Sequence, residues 1–183
     1  MSTNYPDNLY VYYKNNPSSF EERVDKTKKT VNYAIIAVCV LLLIFPSIIP
    51  IGNLLVRIIA GGALLYYGFS VYAGGTDWYN TVSGGKIKTS AIVKFAATAE
   101  SDIERIKQMF ENGDFEGLVN EPDEQNRPLQ LYIDEDPVGK TFYLLLRYYF
   151  SSSDFRGISD VKVVSEKQSP ENYRIIKSIK STS

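Results

Sequence analysis

Apolar positions run almost unbroken from Tyr33 to Ile51 and again from Leu54 to Tyr72, whereas elsewhere they alternate or recur at helical spacing. A helix rises about 1.5 Å per residue, so about 20 mostly apolar residues cross a hydrocarbon core about 30 Å thick. Each stretch just meets that length, and the gap between them, Gly52-Asn53, allows only a turn. The pattern predicts a two-helix transmembrane hairpin over residues 31–73. A cleavable signal peptide is disfavoured, because the first stretch starts late, has no small-x-small cleavage pattern before Pro46 and is followed directly by a second stretch.

Arg23, Lys26, Lys28 and Lys29 precede the first stretch and Lys86, Lys88 and Lys94 follow the second, while the connector is uncharged. Cytosolic flanks collect Lys and Arg, which places both termini in the cytosol. Aromatic residues mark the same side: Tyr33 at the start of the first stretch, and Tyr66, Tyr67, Tyr72, Trp78 and Tyr79 where the second emerges. The expected membrane-interface residues are therefore Lys28, Lys29, Tyr33, Arg57, Tyr72, Trp78 and Tyr79. Arg57 lies about a turn inside the second stretch, where its stem can snorkel to the headgroups; a contact in the bundle interior is the other reading. Pro46 and Pro50 can end the first helix early, so a re-entrant hairpin that does not fully span is the second topology. Ala60, Gly61, Gly62, Ala63 and Gly68 permit close helix packing within the hairpin or against another copy.

The rest divides into a cytosolic amino-terminal arm over 1–30, a Gly-rich linker over 74–88 and a domain over 89–183. Pro17 to Glu22 resembles a helix start capped by Ser18 or Ser19, and the Tyr10, Tyr12, Tyr13 group is either a short strand or an unstructured lead-in. Lys86 to Thr98 alternates as a strand. Ser101 with Glu104 reads as a capping box for a helix carrying Ile103, Ile106, Met109 and Phe110, which stops at Asn112-Gly113; Asp114 can cap a further turn. Leu129, Leu131 and Ile133 alternate with polar partners, Asp136-Pro137-Val138-Gly139 is a turn, and Lys140 to Phe150 returns as the second arm of a hairpin. Ile158 to Ser165 reads as one more strand, and Pro170 to Lys180 as a short helix or an edge strand. This order gives a small cytosolic α+β domain, strand, helix, then antiparallel strands, with one helix on a small sheet.

Composition narrows the chemistry. The 183 residues contain no histidine and one cysteine, Cys39, inside the first apolar stretch. The commonest general base is therefore missing, as are disulfides and Cys-based metal sites. Neither a nucleophile elbow nor a phosphate-binding loop is present, and the formal charge of −1 is spread without a basic cluster for nucleic acid. The acidic groups Glu121, Asp123, Glu124 and Asp134, Glu135, Asp136 lack calcium-loop spacing and read as solvated turn charges. No catalytic residue, metal site or cofactor is expected.

Lys140 to Phe150 is greasy on both faces. One face belongs to the core; the other is either buried within the domain, the favoured reading, or is a contact surface presenting Tyr143 and Tyr149 to a partner. The chain is thus expected to be a non-enzymatic two-pass protein of a bacterial inner membrane, an anchor, scaffold or accessory subunit whose domain binds another protein or itself. A homo-oligomeric pore or membrane-remodelling protein regulated by the domain is the first alternative, and an immunity or defence accessory protein the second. Against a pore, Asn32, Ser47, Arg57 and Ser70 are the polar residues of the stretches and lie near their ends.

Overall fold

The computed structural model describes residues 5–24, 26–50, 52–72, 76–151 and 154–181. The chain divides into two units, one of Met1–Glu21 with Trp78–Ser183 and one of Glu22–Asp77. Among the described residues the architecture is α+β, with six α-helices and two sheets.

In the first unit, helix α1 (Leu9–Asn15) opens on Asn8, whose Oδ1 accepts from Val11 N at 2.9 Å. Strand β1 (Phe20–Val24) follows, and it pairs with β2 (Thr76–Asn80) as a two-stranded sheet. The five-stranded antiparallel sheet is built from β3 (Lys88–Lys94), β4 (Leu129–Asp136), β5 (Thr141–Ser151), β6 (Asp154–Gly157) and β7 (Lys162–Ser165). Its order is β3-β4-β5-β6, and β7 pairs with the first half of β5 while β6 pairs with the second. Between them the ladder is bridged by Ser159, fully buried, whose Oγ accepts from Leu146 N at 3.2 Å.

Alternation along β4 and β5 sends Leu129, Leu131, Ile133, Phe142, Leu144 and Leu146 to one face. There they meet α4 (Glu100–Asn112), α5 (Phe115–Asn120) and α6 (Pro170–Ser178) through Ile106, Phe110, Phe115, Leu118, Tyr173 and Ile176. Helix α4 ends at Gly113, whose φ of 75° is open to glycine at little steric cost, and Asp114 caps α5 by accepting from Gly117 N at 2.9 Å.

Several expectations change. Three helices, not one, cover the first face, and α1 covers part of the second. The residues Tyr10, Tyr12 and Tyr13 are helical, and Pro17 to Glu22 leads into a strand rather than a helix. Helix α4 begins at Glu100 on an Ala99 cap, so Ser101 lies inside the first turn and makes no capping box. Of the last expected strand, Ile158 to Ser165, only Lys162–Ser165 is strand, with another short strand, Asp154–Gly157, ahead of it. The tail is a helix with Pro170 in its first turn, where the missing N–H costs nothing.

In the second unit, α2 (Lys26–Ile44) and α3 (Asn53–Tyr72) pack together, with one turn of 3-10 helix at Pro46–Ile48 between them. Cys39, Val56 and Ala60 are buried, and Asn32 Nδ2 donates to Ser70 Oγ at 3.2 Å. Among the described residues one helix, Asn53–Tyr72, is long and apolar enough to cross a membrane; the apolar part of α2, Lys29–Ile44, is shorter.

Candidate functional site

The second face of the large sheet is polar at one end, aromatic in the middle and basic at the other end. Tyr13 and Leu9, one helical turn apart on α1, pack with Phe20, Ile87, Tyr143 and Leu145. The Tyr13 ring lies 4.7 Å from Phe20, 5.6 Å from Tyr143 and 5.8 Å from Trp78, edge-on to Tyr143, an arrangement that suits ring quadrupoles. Its hydroxyl donates to Asp134 Oδ2 at 2.9 Å. Burial pushes the Asp134 carboxyl above its ordinary range, opposed by donation from Thr89 and Tyr13. Burial first, then the neighbouring carboxylate, also raises Tyr13. Tyr143, whose hydroxyl accepts from Asn80 Nδ2 at 3.0 Å, is pushed up to about 12, chiefly by burial.

Asp136 closes this end. It is fully buried and accepts from Ser83 Oγ at 2.6 Å, Val138 N at 3.1 Å and Gly139 N at 2.9 Å. The side chain thus makes the Asx turn that starts the β4–β5 hairpin and ties it to the loop before β3.

Beyond α1, the same face carries Gln130, Arg147, Tyr149 and Phe155, because Gln130 opposes Arg147 and Tyr149 opposes Phe155 in the ladder. The Arg147 guanidinium sits over Tyr132 at 4.6 Å and Phe155 at 5.0 Å. Its Nε is buried without an acceptor. Elsewhere in this unit Arg105 pairs with Glu121, Arg127 with Glu124 and Arg156 with Asp154. Tyr149 stacks on Phe155 at 4.8 Å and is 37% exposed; Phe150, next along the strand, is 56% exposed.

Of the two tyrosines expected as partner contacts, Tyr143 is therefore core, 3% exposed under α1, and Tyr149 reaches the surface. Among the expected membrane-interface residues, Lys29, Tyr33, Arg57 and Tyr72 are exposed, whereas Trp78 is half-buried against Tyr13 and Tyr79 is half-buried beside a bridge to Lys86. The Lys28 side chain lies outside the described residues. The acidic groups do not converge either: Glu121 and Glu124 hold arginines, Asp134 takes the Tyr13 proton donor, and Asp136 holds its turn. An open groove of about 650 Å³ between α5 and α6 mixes Glu116 and Glu171 with Arg174.

Sequence reasoning missed Arg147, Tyr132 and Phe155. The available signal was an arginine inside an otherwise apolar strand, which needs either a carboxylate or aromatic faces when half-buried. No protein-family model matches the chain, and neither a curated protein nor a solved structure shows a significant match.

Proposed function

We propose that the chain is a membrane protein held by the α2–α3 hairpin, and that its α+β domain serves as a non-enzymatic anchor, scaffold or accessory module on the cytosolic side. The observation that carries this reading is the surface of α3. Leu54, Leu55, Ile58, Ile59, Leu65, Tyr66, Phe69 and Tyr72 all point outward, and 11% of the helix's apolar stretch is buried. The core helix of a soluble protein would hide these side chains; an apolar surface this long and continuous is stable against lipid or protein but costly in water. On α2, Val38, Val40, Leu41 and Ile44 extend the same surface. The inward side supports it too, since Asn32 and Ser70 satisfy one another, as polar groups in hydrocarbon must.

The basic flanks favour cytosolic termini, and a bacterial inner membrane is the setting we favour for so compact a hairpin. Because α2 ends at Ile44 before the 3-10 turn, the second helix is the stronger candidate to reach the far leaflet. Tyr149 and Phe150 are the side chains through which the domain would meet another protein or a second copy of itself. Alkaline carbonate extraction of membranes from producing cells tests the anchor: the protein should stay in the pellet and leave it on adding detergent. Release by carbonate alone would overturn the proposal.

A further inference from the structure

Arg147 is built in a way that its packing role does not require. An arginine carries five N–H donors, and none of those on Arg147 finds an acceptor within the described residues. Its Nε is closed off from solvent, whereas the two terminal nitrogens are not buried. The guanidinium is held between Tyr132 and Phe155, so its orientation is settled before anything binds. Gln130 stands directly across the ladder from it on one side and Gly157 on the other, so neither cross-strand neighbour supplies a carboxylate. The arginines that serve the fold in this unit, Arg105, Arg127 and Arg156, each hold an acidic side chain.

A planar, preoriented fork with its terminal donors unused matches the geometry of a carboxylate or a phosphate. Low dielectric from the flanking rings strengthens such a bond, and prior immobilisation removes most of its entropic cost. We propose that Arg147, clamped by Tyr132 and Phe155, forms a binding site for an oxyanion, gripped end-on by the two terminal nitrogens. Tyr149, stacked on Phe155 and exposed, borders the site and would contact whatever carries the anion. The proposal does not rest on membrane anchorage, and its test reads Arg147 whatever surrounds the helices.

The test is a titration of full-length protein in zwitterionic detergent, followed through the Nε–H resonance of Arg147 and the ring resonances of Tyr149 and Phe155. The resonance is assigned by its loss in Arg147→Lys. Inorganic phosphate and acetate are added separately at constant ionic strength, with chloride as the control. The expected result is a saturable shift with at least one oxyanion and none with chloride, with the affinity read from the ring resonances at least tenfold weaker in Arg147→Lys. Absence of a saturable shift with both oxyanions, in detergent and in bilayers, overturns the proposal. The bilayer arm uses phosphatidylcholine nanodiscs with or without phosphatidylglycerol: a response to free phosphate identifies a soluble ligand, and a response confined to phosphatidylglycerol identifies a lipid headgroup, both being recognition of the same chemistry.

Discussion

The Tyr13 hydroxyl donates to the buried Asp134 carboxylate at 2.9 Å across 121 positions of sequence, joining α1 to the middle of the large sheet. The bond explains how the amino-terminal segment covers the second face of β4 and β5. Tyr13 brings both apolar area and the donor that a buried carboxylate needs.

Burial raises the Asp134 pKa, so the folded protein holds that proton more tightly than the unfolded chain. The stability from this group is fully present below the ordinary Asp value of about 4 and is lost as pH rises through the raised value. Denaturant midpoints followed by the single tryptophan, Trp78, should therefore fall over that window in wild type. Asp134→Asn, which keeps an oxygen for Tyr13, should flatten that fall. An unchanged pH profile in the variant would show that Asp134 is not the titrating group.

Gly85 has no room for a side chain. A Cβ there would overlap Asp136 Oδ1 and approach Val138 Cβ to 2.9 Å, so Gly85→Ala should cost about 1–3 kcal/mol through overpacking. Gly61, with nothing near its Cβ position, should tolerate alanine within about 0.5 kcal/mol. Urea unfolding of the two variants side by side checks the contrast.

Tyr143 and Tyr149 sit on the same face of β5 but differ in cover. Tyr143→Asp places a charge among Tyr13, Phe20 and Trp78 and should abolish the cooperative unfolding transition. Tyr149→Asp should leave that transition within about 0.5 kcal/mol of wild type while removing crosslinks to a partner or a second copy. Crosslinking in native membranes followed by mass spectrometry reads the second effect; undiminished crosslinking would move the contact elsewhere.

How much of this was legible in the chain depended on where the determining interactions lie. Gly113, Asp114 and the Asp136-Pro137-Val138-Gly139 turn act within a few residues, and the sequence reading places all three where the structure has them. The alternation in β4 and β5 likewise reads directly as faces. Helix α1 did not, because its seven residues are too short for local propensity to decide and its buried positions are held by partners across the chain. Asn8 was the one local clue. The Ser101 signature misled because Ala99 already has extended backbone at ψ 148° and caps the helix there, so the helix starts earlier than a Ser101 cap would place it. Arg147 escaped notice because a strand pattern shows which face a residue occupies but not which rings flank it.

Whether the hairpin lies in lipid is tested most directly by the environment of Leu65, 76% exposed on α3. In a Cys39→Ala background, Leu65→Cys and, as an aqueous reference, Glu171→Cys would be labelled with an environment-sensitive fluorophore in reconstituted vesicles. The account predicts that the Leu65 label is quenched by lipid-attached nitroxide and shielded from iodide, with the Glu171 label behaving in the opposite way. Iodide quenching at Leu65 equal to that at Glu171 would contradict it.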